Sequence, residues 1–222
     1  MSFIDSLQVA IALGLTVFMV LLRFDAERIM HADYFRYRTA WLGPLSYYGL
    51  VLVFALGIAW ILPHGRVTLF LTGGEPKSVL PAMIAFGVVA LLNGAAFAFL
   101  RFGGIRPLPS QLLPSRILGA AANAVAEEVQ FRSIVLGMLI FATGSQWAGL
   151  ANLVQALLYG IVHRRLLEER DWYFLAGSVL LAYGAGAATI ATGSVIPAIV
   201  GHFAVTMGIF AFAGGRLRER PI

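Results

Sequence analysis

Seven stretches of about 20 apolar residues follow one another along the chain, at roughly 5–23, 42–62, 79–100, 116–141, 146–163, 172–191 and 194–214. A helix of that length crosses the hydrocarbon core of a bilayer. Backbone lying in lipid must satisfy its own hydrogen bonds, so such runs fold as helices. Only 12% of the 222 residues are charged and the mean hydropathy is +0.84, which places the chain outside the range of water-soluble domains. The expected fold is all-α: a polytopic transmembrane helix bundle of about seven spans, forming one membrane domain over 1–222. Counts of six and eight stay open, because the first run is short and Val67–Leu71 adds a small apolar patch. The first run starts near Leu7 with no Lys or Arg before it and no clean small-residue cleavage site after it, so it is expected to stay as a helix.

The basic residues set the expected orientation. Arg23, Arg28, Arg36 and Arg38, then Arg101, Arg106 and Arg116, then Arg164, Arg165 and Arg170, and last Arg216, Arg218 and Arg220 fall into four loops on one side; they are thirteen of the sixteen basic residues. The other side holds Arg66 and Lys77, and Arg132 lies inside a run. Positive residues stay in the cytoplasm, which puts the N-terminus outside and the C-terminus inside. Topology thus accounts for the net charge of +5, and no nucleic-acid partner is expected. The segment 24–41, with Tyr34, Phe35, Tyr37 and Trp41, is expected to anchor at the headgroups. Gly184, Ala185, Gly186, Ala187 and Ala188 suit close helix packing in lipid. Cysteine is absent, which excludes disulfides, thiolate metal sites and a cysteine nucleophile.

Against this apolar background the fourth run carries Asn123, Glu127, Glu128 and Arg132. Glu127 stands eleven residues past Arg116, about 16 Å along a helix, and so near mid-membrane. An ionisable group at that depth costs on the order of 3 kcal/mol or more and marks a functional site when it faces the bundle interior. Glu128 and Arg132 are four apart and share a helix face, whereas Glu127 points about 100° away. Arg132 is expected to hold Glu128 as an ion pair. Glu127, desolvated beside a negative neighbour, is expected to trade protons near neutrality. The fifth run ends in Tyr159 and His163 on one face, and the seventh carries His202 and Thr206 on one face.

These residues resemble the motifs of the CPBP family, the CAAX protease and bacteriocin-processing (Abi-type) intramembrane glutamic endopeptidases. Glu127-Glu128-Val129-Gln130-Phe131-Arg132 is similar to its EExxxR motif, Tyr159-Gly160-Ile161-Val162-His163 to FxxxH, and His202-Phe203-Ala204-Val205-Thr206 to HxxxN or HxxxD. Ala191 to His202 also resembles the family's segment leading into that last histidine. Tyr159 stands where the family usually has Phe, and Thr206 where it usually has Asn or Asp. The resemblance covers about 115–212; it implies a CPBP-like four-helix core over 115–214 preceded by three family-variable helices in 1–114.

The resemblance further implies peptide hydrolysis by a glutamate-activated water, without metal or other cofactor, in the bacterial cytoplasmic (inner) membrane. Glu127 would be the general base and His163 would orient the water. His202 with Thr206 would bind the oxyanion. Glu128 and Arg132 would support them, with Asn123 a further orienting group. Partners would be membrane lipids and a peptide or membrane-protein substrate. Three other readings of the residues stand beside this one. Glu127, Glu128, His163 and His202 could ligate zinc, although no HExxH signature is present. The chain could be a non-catalytic subunit packed against other membrane subunits, or a proton-coupled transporter, for which no inverted repeat is visible. A protease requires Glu127, His163 and His202 to converge on a space that admits water and an extended peptide.

Overall fold

The computed structural model describes residues 3–24, 42–103, 113–163 and 172–212; the expected aromatic and arginine anchor of 24–41 lies, apart from Phe24, outside them. Helices α1 (Phe3–Phe24), α2 (Leu42–Ile61), the short α3 (Gly65–Thr68) and α4 (Pro76–Phe102) precede α5 (Leu113–Glu128). The chain continues without a break from α5 through a π-helical segment (Val129–Val135) into α6 (Leu136–Thr143). A 3₁₀ turn (Ser145–Trp147) leads to α7 (Ala148–Val162), followed by α8 (Trp172–Thr192) and α9 (Ile196–Phe212). Every expected apolar run thus coincides with a helix. Three helices are by themselves long and apolar enough to cross a bilayer, at Ile4–Phe24, Pro76–Leu100 and Leu175–Thr192, with shorter apolar helices at Ser46–Ile61 and Ile196–Phe212.

The distribution of polarity is the reverse of that in a water-soluble protein. Large apolar side chains such as Leu56, Leu118, Leu180 and Trp60 face outward, while Glu127, Glu128, Gln130, Arg132, Asn152 and Gln155 are buried. With apolar surface outside and ionisable groups inside, the chain is built for lipid. The π-helical segment, an uncommon element often found at functional sites, begins directly after the glutamate pair, and all seven of its residues are buried.

Small residues let the helices close up. α4 and α9 run side by side: a Cβ on Gly94 would stand 2.5 Å from the Val205 carbonyl oxygen, and one on Gly208 would stand 2.9 Å from that of Leu91. In the small-residue stretch of α8, Gly186 lies directly against the Asn152 side chain of α7. That asparagine donates to the Tyr183 carbonyl at 3.0 Å, and Gln155 to that of Ala182 at 3.0 Å.

The apolar patch Val67–Leu71 belongs to α3 and the turn after it rather than to a further span. Leu69 is fully buried, and Gly137 passes so close to this turn that a Cβ there would lie 2.7 Å from the Thr68 carbonyl oxygen. The same turn pins the start of α9: Val195 N–H donates to the Phe70 carbonyl at 3.0 Å and the Ser194 hydroxyl to that of Thr72 at 2.9 Å. α1 and α2 join α5 and the π-helical segment through one apolar cluster that includes Met19, Tyr47, Val51, Ile58, Ala126 and Ile134. This packing carries the ends of α1 and α2 to the glutamates.

Candidate active site

Glu127 lies in the last turn of α5, one turn after Asn123, and its carboxylate is shared between two sides of the bundle. On one side Arg23, in the last turn of α1, donates from Nη2 to Oε1 at 2.6 Å. On the other, the Tyr159 hydroxyl of α7 donates to Oε2 at 3.0 Å. Around the same oxygen stand Nε2 of His163 at 3.7 Å and Nε2 of His202 at 4.0 Å. Residues separated by up to 75 positions in sequence therefore meet at one carboxylate oxygen.

Each histidine is oriented by its other ring nitrogen. His163 Nδ1 lies 2.7 Å from the Tyr159 carbonyl oxygen; a carbonyl can only accept, so Nδ1 carries a proton and Nε2 holds the lone pair of the neutral ring. His202 Nδ1 lies 2.8 Å from Oε1 of Glu128. Glu128 also faces Arg132, whose Nε stands 2.9 Å from Oε2 as an ion pair without hydrogen-bond alignment. The buried Arg132 guanidinium lies over the Tyr159 ring, 4.4 Å from its centroid, a cation–π placement. Phe131 meets the same ring edge-on, with centroids 5.0 Å apart.

At four places the packing adds a contact, or lacks one, that helix periodicity does not specify. Arg23, counted in the sequence among the loop charges that set topology, is among the described residues the cation nearest Glu127, so the carboxylate expected to sit beside a negative neighbour alone has a positive partner as well. His202, expected with Thr206 to bind the oxyanion, bonds Glu128 through Nδ1 and faces Glu127 through Nε2. Thr206, one turn beyond His202 and half-buried, forms no hydrogen bond to either glutamate or to His202 among the described residues. The amide beside His202 is that of Asn123, whose Nδ2 lies 3.3 Å from Nε2. Finally, Tyr159 uses the hydroxyl that distinguishes it from the family's phenylalanine.

Three residues that the sequence does not single out brace these groups. The Tyr48 hydroxyl donates to Oδ1 of Asn123 at 3.0 Å. That of Tyr47 donates to Oε1 of Gln130 at 3.1 Å, and Gln130 Nε2 donates to the Met19 carbonyl at 2.7 Å. The last contact fixes the depth of α1 one turn before Arg23. Gln130 is a polar residue inside an apolar run, and that was a signal; the two tyrosines, at the start of an apolar run, gave none.

Glu127 and Glu128 are almost fully covered, while Arg23 and His163 keep 12% and 13% side-chain exposure. The site thus reaches the surface beside α1 and the end of α7. A separate apolar hollow of about 440 Å³, lined by Leu139, Thr143, Trp147, Leu150, Ala151 and Val154, begins twelve residues beyond Glu127, about 18 Å along the helix axis. Among the described residues no group of three or more His, Cys, Asp or Glu side chains is arranged to hold a metal ion.

No curated protein and no solved structure matches the chain. Residues 109–208 match the family profile described as type II CAAX prenyl endopeptidase Rce1-like. That match takes in α5, the π-helical segment and α6 to α8, together with α9 as far as Gly208, and so contains both glutamates, both histidines, Tyr159 and Arg132. The chain therefore carries an Rce1-like domain, in agreement with the CPBP resemblance of its motifs.

Proposed function

We propose that the chain is an intramembrane endopeptidase of the CAAX-protease type in which Glu127 activates water. The observation that carries this reading is the convergence of Tyr159, His163 and His202 on one oxygen of Glu127, at 3.0, 3.7 and 4.0 Å. Glu127 takes a proton from water, and the hydroxide adds to the carbonyl carbon of the scissile peptide. The proton then passes from Glu127 to the departing amine as the C–N bond breaks. The Nε2 lone pair of His163 accepts from the same water and aims it. His202 lies on the side where charge builds on the carbonyl oxygen. Glu128 and Arg132 hold His202 and Tyr159 in place, as supporting residues do in preorganised sites. Arg23 keeps the site charge-compensated, first against the Glu127 carboxylate and then against the oxyanion that replaces it.

The test compares the purified chain with Glu127→Gln, both reconstituted in liposomes, on an internally quenched farnesylated CAAX peptide. Cleavage by the wild type and loss of at least about 10³-fold in the variant are expected, since the base is removed. Equal rates in the two proteins would overturn the proposal. Chelation should leave turnover intact; activity lost to a chelator and restored by zinc would favour the zinc reading.

A second reading, a non-catalytic membrane subunit, is favoured by the Arg23 to Glu127 pair and by the burial of both glutamates. A compensated ion pair clasping α1 to α5 would be sufficient structure in itself. A stoichiometric membrane partner co-purifying with an inactive chain would support that reading.

A further inference from the structure

A peptide hydrolysed at Glu127 transfers negative charge to its carbonyl oxygen, and that oxygen needs hydrogen-bond donors on the Oε2 side of the carboxylate. The polar groups there divide by what they already hold. The Tyr159 hydroxyl gives its one proton to Glu127. His163 spends its Nδ1 proton on the Tyr159 carbonyl. Arg23 stands at the opposite oxygen, Oε1. His202 has Nδ1 on the Glu128 carboxylate, which can only accept, so the proton lies on Nδ1 and Nε2 is an acceptor in the neutral ring.

Asn123 is arranged differently. Tyr48 donates to its Oδ1 at 3.0 Å, which fixes the carbonyl end of the amide and turns Nδ2 toward His202 Nε2 at 3.3 Å. An amide nitrogen carries two protons. One meets the His202 lone pair, and among the described residues the other has no recorded partner. Asn123 shares a helix face with Glu127, one turn away, and His202 Nε2 touches Asn123 while standing 4.0 Å from Glu127 Oε2. A donor with a spare proton therefore sits next to the place where the oxyanion forms.

Resting on the protease reading, we infer that Asn123 is the oxyanion-binding amide of this site, held in its donating orientation by Tyr48. Thr206, which the family resemblance assigns to oxyanion binding, is a shorter hydroxyl that makes no bond to His202 among the described residues. The amide has been supplied from α5 rather than from α9. Tyr48 is a positioning residue: it does not touch substrate, and it belongs to α2, outside the matched residues 109–208.

The experiment measures kcat and KM on the farnesylated quenched peptide for the wild type, Asn123→Ala, Asn123→Asp, Tyr48→Phe and Thr206→Val, each with its melting temperature in detergent. Asn123→Ala should lower kcat about 10²-fold with KM changed less than about threefold, as for loss of one oxyanion donor. Asn123→Asp keeps the shape and the Tyr48 contact but has no NH₂, and should lose as much. Tyr48→Phe should lose about tenfold in kcat alone, and Thr206→Val at least tenfold less than Asn123→Ala. An active wild type whose Asn123→Asp variant melts normally and turns over within threefold would overturn this inference and leave the protease reading standing. A wild type that does not cleave the peptide would overturn both.

Discussion

The Arg23 guanidinium, at the end of the first helix, lies 2.6 Å from Oε1 of Glu127 in the fifth. The pair joins the N-terminal helices, outside the Rce1-like match, to the carboxylate on which the proposed site is centred. In a buried setting each charge depends on the other, and removing one leaves the second desolvated without compensation.

Arg23→Gln should therefore lower the melting temperature clearly, by the equivalent of about 2 kcal/mol or more given the small exposure of the pair. Adding Glu127→Gln should recover part of that loss. A thermal double-mutant cycle in detergent measures the coupling, and strictly additive losses would show that the two side chains do not interact.

Tyr159→Phe keeps the ring under Arg132 and against Phe131 and removes only the hydroxyl given to Glu127. A charge-assisted hydrogen bond contributes about 1.5–3 kcal/mol. The variant should fold, melt lower, and retain activity between those of the wild type and Glu127→Gln. A Phe variant with unchanged melting and unchanged rate would remove the hydroxyl from the account.

Gly94→Ala presses a methyl group against the Val205 carbonyl, whereas Gly14→Ala meets nothing within 4 Å. The first should destabilise by about 1–3 kcal/mol through overpacking of α4 against α9. The second should be neutral or slightly stabilising, because alanine is the better helix former. Melting curves of the two variants check the pair side by side.

Because the chain has no cysteine, single-cysteine labelling reads its orientation directly. Lys77→Cys should react with a membrane-impermeant maleimide in intact cells, and Arg164→Cys only after lysis. The opposite pattern would reverse the orientation inferred from the arginine-rich loops.

The polarity of the chain alone determined its class. Runs of about 20 apolar residues leave the backbone no option in lipid but helix, and each run is a helix in the structure. Ionisable residues at mid-membrane are too costly to be incidental, so Glu127, Glu128, Arg132 and His202 stood out, the i, i+4 spacing made Glu128 and Arg132 neighbours, and His163, at the end of its run, stood out only through the motif it shares with Tyr159. Local periodicity says which residues share a face of one helix; it does not say which helices meet. Only the packing of α1 and α2 against α5 brought Arg23 to Glu127 and Tyr48 to Asn123, across 104 and 75 positions of sequence. For the same reason Asn123, and not Thr206, is the side chain beside His202: a hydrogen bond between helices depends on depth and rotation in the bundle, which the tertiary structure alone decides.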